Sequence, residues 1–374
     1  MVWTSIPTTA HKMIKSNKRI AILCFSPYQG GMEIDSIRLY NKLKHIYDKN
    51  NIWLICKDGT FIHDRASHDK EIFKWCSIKF RSMFSFSLIF KLRDFIKKNN
   101  INNLIFFGAS EMRSIYFAIL GLNVNLIVRH GTTKSHAKKD IFHRLVYSKV
   151  SHYVGISKHL VNNINEVFPL TNKTKVNLIY SSLKFPNLSI RTIKEQNGVV
   201  NIIHVGRLTK GKGQDVAIRV CSALYDAGIA FKQVIVGSGD EKYKEMLVNM
   251  LALLPYKDSV VFHGYTEDVF HILGSSDVFL FPSAGEGLPN ALIEALSCGL
   301  VCIVYSNTVF PEIFDLGFYG HVIENGNEHL LSKALVSVCK NIDREIESAK
   351  NNIDLARRIF SEDREVAEYD KILI

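Results

Sequence analysis

The sequence predicts an α/β protein built from two doubly wound parallel sheets, and three observations lead there. Short apolar runs with the length of buried parallel strands recur along the 374 residues and alternate with longer helical stretches. Several of these runs end in glycine-bearing loops that lead directly into a helix, the arrangement that holds ligands outside the carboxyl ends of parallel strands. A stretch without clear periodicity, residues 183–197, separates two halves of similar architecture and reads as the linker.

Taken in order, residues 20–25 (Ile-Ala-Ile-Leu-Cys-Phe) read as a buried strand, followed by Ser26-Pro-Tyr-Gln-Gly-Gly31 and a helix over about residues 32–46. Gly30 and Gly31 allow a ligand to approach the backbone and the helix start, although a tight turn asks for the same residues. Further strands are expected at residues 52–56, 104–108 and 126–130, with helices at 88–98 and 112–120. The loops after them nominate Gly108, Ser110, Glu111, Arg129, His130 and Gly131 beside the two glycines. On chemistry alone His130 stays open between a hydrogen-bonded structural role and a ligand contact. Lys134, Lys138, Lys139 and Arg144 border its loop and offer cations to phosphates of an acceptor. Lys91, Arg93, Lys97 and Lys98 alternate with Phe90, Leu92, Phe95 and Ile96, after Phe84, Phe86, Leu88 and Ile89. Such a helix lies at a membrane interface or, more ordinarily, turns its apolar stripe to its own sheet. A strand at 153–157, a helix at 158–166 and a strand at 176–180 complete this half.

The second half opens with a strand at 199–206, then Arg207-Leu-Thr-Lys-Gly-Lys212-Gly213 and a helix over about 214–227. Guanidinium, ammonium and glycine before a helix N-terminus suit a diphosphate by charge, by bidentate geometry and by free backbone N–H groups. The Lys-Ser/Thr pair of a P-loop is missing. A strand at 231–236 precedes Gly237-Ser-Gly239-Asp240, an incomplete dinucleotide fingerprint, and Val260-Val-Phe-His-Gly-Tyr265 follows. The strand 278–281 runs into a Gly/Pro loop and a helix that opens at Asn290 and ends at Gly299. Glu286, Gly287 and Leu288 occupy the loop, and the first helical turn presents the N–H groups of Asn290, Ala291 and Leu292. Glu294, about one turn into the helix, is placed to flank an extended ligand together with Glu286. Strand residues 302–305 precede Pro311-Glu312, and a last helix is expected over 354–374.

Composition narrows the class. With 47% hydrophobic residues the chain buries a large core and is expected to form two domains. No apolar run reaches the roughly 18 residues of a membrane span, and residues 1–19 lack the apolar core of a standard signal peptide. Seven scattered cysteines without a Cys-x-x-Cys pair read as reduced core residues of a cytosolic protein. The net charge of +11 is unevenly placed: residues 1–190 carry 29 Lys+Arg against 11 Asp+Glu, and residues 191–374 carry 18 against 25. A balance of +18 beside one of −7 points the first half toward something anionic. No zinc spacing, ribonucleoprotein motif or basic repeat supports nucleic acid, which leaves a membrane surface or an anionic glycolipid.

The Glu286-x7-Glu294 spacing and the Gly206-Arg207-x4-Lys212-Gly213 segment resemble the signature of retaining glycosyltransferases of the GT-B fold, in particular the large family 4 class. That resemblance implies two Rossmann-like domains facing a central cleft: an acceptor domain over 1–185, a donor domain over 198–352, and residues 353–374 returning to the first domain. It implies that Glu286 sits by the donor sugar, Glu294 binds the ribose, and Arg207 and Lys212 neutralise the leaving nucleotide. It gives His130 a contact to the transferred sugar, places Pro311-Glu312 beside the donor, and sets Tyr265 near the base, either stacked on it or packed on the core. The implied reaction moves a hexosyl group from a nucleotide-diphosphate sugar to a glycan or glycolipid, as in lipopolysaccharide core, O-antigen or other surface polysaccharide synthesis, at the inner face of the cytoplasmic membrane. Metal-dependent transferases usually carry Asp-x-Asp; this chain has none, so no metal cofactor is expected and the co-substrate is the sugar nucleotide, its base open among UDP, GDP and ADP. A sugar-nucleotide epimerase of the same architecture and a non-catalytic sugar-nucleotide or glycolipid-binding module are the rival readings.

Overall fold

The computed structural model describes residues 17–27, 30–69, 73–186 and 198–374. Most of the amino-terminal stretch and of the expected linker lies outside these residues. The chain forms two compact units, one holding the residues up to Ile156 with Leu160–Ile179 and Glu365–Ile374, the other Ser157–His159 and Tyr180–Arg364.

The first unit is built on seven strands: β1 Ile20–Cys24, β2 Ile52–Lys57, β3 Trp75–Ile78, β4 Asn103–Phe107, β5 Asn125–His130, β6 Val150–Gly155 and β7 Lys175–Leu178. Their order is β3-β2-β1-β4-β5-β6-β7, and every pairing is parallel. The order reverses between β1 and β4, whose residues Ile22 and Ile105 are in register. Strand β1 is buried along its whole length and shows why a continuous apolar run is needed. Ala21 and Leu23 join the core beneath Leu88, Leu92 and Ile115, while Ile20, Ile22 and Cys24 face Leu39, Leu43 and Tyr369 on the other side.

The second unit repeats the plan with β8 Val200–Val205, β9 Phe231–Val236, β10 Val260–Gly264, β11 Val278–Phe281, β12 Val301–Ser306 and β13 His321–Glu324. Its order is β10-β9-β8-β11-β12-β13, again all parallel, with the reversal between β8 and β11. The expected pair of doubly wound, Rossmann-like sheets is therefore present. All seven cysteines are free thiols, and six of them are buried. No helix among the described residues is long and apolar enough to cross a membrane.

Two expectations need correction and one is refined. The helix expected over 214–227 is two short helices, Gln214–Arg219 and Ser222–Asp226. The Gln233 amide donates to the Ala217 carbonyl at 2.9 Å and the Tyr256 hydroxyl to the Ile218 carbonyl at 3.0 Å, so side chains distant in sequence claim carbonyls at the break. The apolar helix of the first half, Phe86–Lys98, does bury Leu88, Ile89, Leu92 and Ile96, but Phe86 and Phe90 each remain 67% exposed. The helix expected over 354–374 is likewise two, Asn351–Ile359 and Glu362–Asp370, and Glu365–Ile374 belong to the first unit.

The residues after Glu365 close one face of the first sheet. Val366, Tyr369, Ile372 and Leu373 belong to its core, and Asn125 donates to the Ile372 carbonyl at 2.8 Å while Asn103 donates to that of Ile374 at 2.9 Å. Lys42 and Glu365 form a 2.7 Å ion pair with side chains only 7% and 4% exposed. Removing one partner strands a desolvated charge. Glu365→Ala is therefore expected to lower unfolding free energy by about 3–5 kcal/mol, and the Lys42→Met/Glu365→Leu pair to recover most of it. Urea unfolding of the three proteins checks both.

Candidate functional site

The loop after β8 is fixed at both ends by side chains. His204, at 0% exposure, donates from Nε2 to the Lys212 carbonyl at 2.9 Å, and Gln214 donates from Nε2 to the Arg207 carbonyl at 2.9 Å. Its middle is stitched to the loop after β9, since Leu208 N–H donates to Ser238 O at 3.1 Å and Asp240 N–H returns to Leu208 O at 2.8 Å. Gly237 is required there. Its φ is +138°, and a Cβ would lie 2.0 Å from the Gly206 carbonyl oxygen. Arg207 is exposed at the start of this loop.

The loop after β11 packs onto the first through main-chain contact. Ala284 N–H donates to Gly211 O at 2.8 Å, and Gly213, with φ +80°, approaches Pro282 so closely that a Cβ would stand 2.2 Å from its carbonyl oxygen. The approach brings Lys212 Nζ to 2.6 Å from Glu286 Oε1. Ser283 Oγ donates to the same carboxylate oxygen at 2.9 Å, and the Glu286 N–H donates to Thr308 Oγ1 at 3.0 Å. Asn307 donates to Ser283 O at 2.9 Å, and Thr308 itself sits at φ +45°, a costly conformation for a β-branched residue. Glu286 is thereby oriented through its side chain and its backbone.

The helix Asn290–Ser297 begins behind this loop with Pro289 at its cap position and no side-chain cap. The amides of Asn290 and Ala291 have no partner inside the helix. That of Leu292 donates to Pro289 O at 3.1 Å and Leu292 is fully buried, which removes it from the set of presented groups. Gly287 and Leu288 are half-buried in the loop, and Glu294 is half-buried one turn into the helix. Tyr265 is 63% exposed, so packing on the core is excluded for it. Glu312 is buried and fully engaged: its carboxylate accepts from the N–H groups of Lys158 and His159, at 2.7 and 3.1 Å, and from the Tyr180 hydroxyl at 2.6 Å.

The remaining candidates belong to the first unit. Gly30 precedes the helix Gly31–Ile46, which has no side-chain cap, and a Cβ on Gly31 would meet nothing within 4 Å. His130 ends β5 at 5% exposure, with Nε2 3.0 Å from Asn163 Oδ1 and its ring edge-on to Phe168. Arg129 is committed to a buried 2.6 Å pair with Asp35 and lies over the Phe107 ring. Burial pushes the Glu111 carboxyl above the usual carboxylate range. His204, Ser283, Asn307 and Thr308 escaped the sequence reading: Ser283 stands inside the Glu286 loop, but Thr308 is 22 residues beyond Glu286 and nothing local announces it.

Burial lowers the His204 pKa to about 4, and its Nδ1 has no hydrogen-bond partner, so a proton added there would be buried unpaired. A folded-state value below the unfolded one near 6.5 means that the unfolded chain takes the proton first. The contribution is full above about pH 6.5 and is lost as pH falls toward 4, to a total of roughly 3 kcal/mol. His204→Gln is expected to flatten that acid limb in urea unfolding between pH 7 and 4.

Residues 189–356 match the family described as glycosyl transferases group 1. The putative colanic acid biosynthesis glycosyltransferase WcaL of Escherichia coli K12 is 25% identical over 289 residues, which cover 66% of this chain and 71% of that protein. The crystal structure of a glycosyltransferase from Rickettsia africae superimposes with a TM-score of 0.81 at 18% identity, over 96% of this chain and 98% of its own. HepE of Anabaena, solved with UDP and glucose, superimposes at 0.73 and 16% identity over 96% and 100%. With two parallel Rossmann-like sheets, a segment matching the glycosyl transferases group 1 family and relatives named as glycosyltransferases, the chain is similar to glycosyltransferases of GT-B fold and carries a group 1 domain over residues 189–356.

Proposed function

We propose that this glycosyltransferase takes a sugar from a nucleotide-diphosphate donor held at the carboxyl ends of β8 and β11 and transfers it, with retention of anomeric configuration, to an anionic glycan or glycolipid. The observation that carries the reading is the joined pair of loops, which sets Lys212 2.6 Å from Glu286 at the point where the strand order reverses. HepE, of the same fold, binds UDP and glucose, which supports a sugar nucleotide as donor. The name of WcaL, a putative colanic acid biosynthesis glycosyltransferase, supports a role in surface polysaccharide synthesis.

Arg207, Lys212 and the open amides of Asn290 and Ala291 take the diphosphate, whose charge grows as the bond to the sugar breaks. Glu286 orients the sugar and supports positive charge at the reacting carbon. Glu294 accepts hydrogen bonds from the ribose hydroxyls, Tyr265 offers an exposed ring to the base, and His130 lies on the acceptor side with Gly30 and Gly31. Lys212 is paired with Glu286, and the diphosphate gives the ammonium a second anionic partner. These cations fill the role that a metal plays elsewhere. The basic first unit holds the acceptor at the inner face of the cytoplasmic membrane, and salt weakens that attachment.

Glu286→Gln is expected to leave nucleotide diphosphate affinity intact or slightly raised while turnover collapses, the pattern of an interaction made mainly in the transition state. Glu294→Gln is expected to weaken the nucleotide by roughly ten- to a hundredfold, as a lost charged hydrogen bond does. Calorimetry with the nucleotide beside turnover assays decides; reversed effects would exchange the two assignments, and two variants that behave like the parent would leave the loop purely structural. Arg207→Ala and Lys212→Ala are each expected to cut turnover on the order of 100-fold. EDTA is expected to leave the parent's turnover unchanged, and strict dependence on added manganese or magnesium would overturn the cation assignment.

A further inference from the structure

A cavity of about 290 Å³ opens in the first unit between Met83, Ala109, Ser110, Arg113, Lys134, Lys138, Phe142 and Tyr147. It lies just beyond the carboxyl ends of β4 and β5, where this class of sheet presents its ligand loops. Its charge is one-sided. Arg113, Lys134 and Lys138 line it, and among the described residues none of the three forms an ion pair with a carboxylate. Two acids lie two residues from these cations: Asp140 caps the helix Ile141–Tyr147 and pairs with His143, and Glu111, between the lining residues Ser110 and Met112, does not itself line the cavity and has its carboxyl pushed above the usual carboxylate range by burial.

The cations are also held in place by aromatic rings. Arg113 lies 4.8 Å over the Phe142 ring, and Lys138 Nζ lies 5.7 Å from the Tyr147 centroid and 5.6 Å from that of Phe168. Desolvation, then Lys134, then Arg113, lower the Lys138 pKa, which reports three like charges gathered in a partly dehydrated space. An anion would relieve that repulsion. Around the mouth the surface turns apolar: Ile141 is 87% exposed, Phe142 and Leu145 about half, and Met83, Phe84, Phe86 and Phe117 lie uncovered beyond them, with Phe84 edge-on to both Phe86 and Phe117. A cationic pocket with room for a phosphate or diphosphate, within an apolar rim, matches a molecule with a phosphate joined to a hydrocarbon chain.

We propose that this cavity is the phosphate subsite for a lipid-linked acceptor, with Arg113, Lys134 and Lys138 binding the phosphate or diphosphate and the rim around Ile141 and Phe86 meeting the hydrocarbon chain and bilayer. The inference rests on the membrane-facing acceptor proposed above and adds where its phosphate binds. The test uses the full chain and phosphatidylcholine vesicles with or without polyprenyl phosphate, beside calorimetry with inorganic pyrophosphate. The parent, Arg113→Gln/Lys138→Gln and the control Lys97→Gln/Lys98→Gln, which removes two exposed charges of the helix Phe86–Lys98, are compared after their unfolding midpoints are matched. The pocket pair is expected to lose roughly tenfold or more in affinity for both probes, the control less than twofold. Equal losses in the two double variants would overturn the subsite and leave only general surface attraction. Pyrophosphate binding that is lost with the pocket pair, without any preference for polyprenyl phosphate vesicles, would refute the lipid assignment. Turnover of the donor sugar nucleotide with a soluble acceptor, measured in parallel, reports the proposed transferase reaction separately.

Discussion

The close approach of Gly213 to the Pro282 carbonyl is the constraint on which the arrangement of Lys212 and Glu286 depends. No side chain fits at Gly213, and because none is there the loops after β8 and β11 come close enough for the Ala284 N–H to donate to Gly211 O. Lys212 and Glu286 meet as a result of that backbone contact, not as its cause. An exposed ion pair contributes little to stability, whereas one fixed by two loops and by Ser283, Asn307 and Thr308 has its geometry set before any ligand arrives. Pre-set geometry is what electrostatic stabilisation of a departing diphosphate requires.

Cations are handled in two different ways in the two units. In the second, Lys212 rests against Glu286, and Arg219 is shared between Asp215 and Glu328, so positive charge is compensated inside the protein. In the first, the deeply buried guanidinium and ammonium, Arg129 and Lys42, are compensated by Asp35 and Glu365, while Arg113, Lys134 and Lys138 gather around a cavity without a carboxylate. The uneven charge of the sequence thus has a local form. Buried positive charge is paired within the fold, and the positive charge around the cavity is what the proposed phosphate would meet.

Much of this architecture was legible in the sequence because buried parallel strands need continuous apolar runs. Strands β9 and β11 have the bounds their residues announce, and the helix that opens at Asn290 is marked by the glycine and proline before it. Strand β3, Trp75–Ile78, was missed because it is a short edge strand that is mostly half-buried, and it lacks that signature. The break after Arg219 was invisible for a different reason. Gln233 and Tyr256 cause it from strands and turns that no local window contains. At the site, charged residues and glycines stood out by type and spacing, but the hydroxyl of Thr308 acquires its role only through β12's return to the Glu286 loop.

The placement of residues 365–374 has a consequence for synthesis. Val366, Tyr369, Ile372 and Leu373 cover apolar side chains of β1, β2 and β4, and Asn103 and Asn125 find their partners in the same segment. These residues leave the ribosome after the whole second unit. The half of the protein translated first must therefore wait with part of one side of its sheet uncovered, and the half translated second is the first that can finish folding. Such a nascent chain exposes hydrophobic surface for tens of seconds at ordinary elongation rates of roughly 5–20 residues per second, a window in which a chaperone has something to hold.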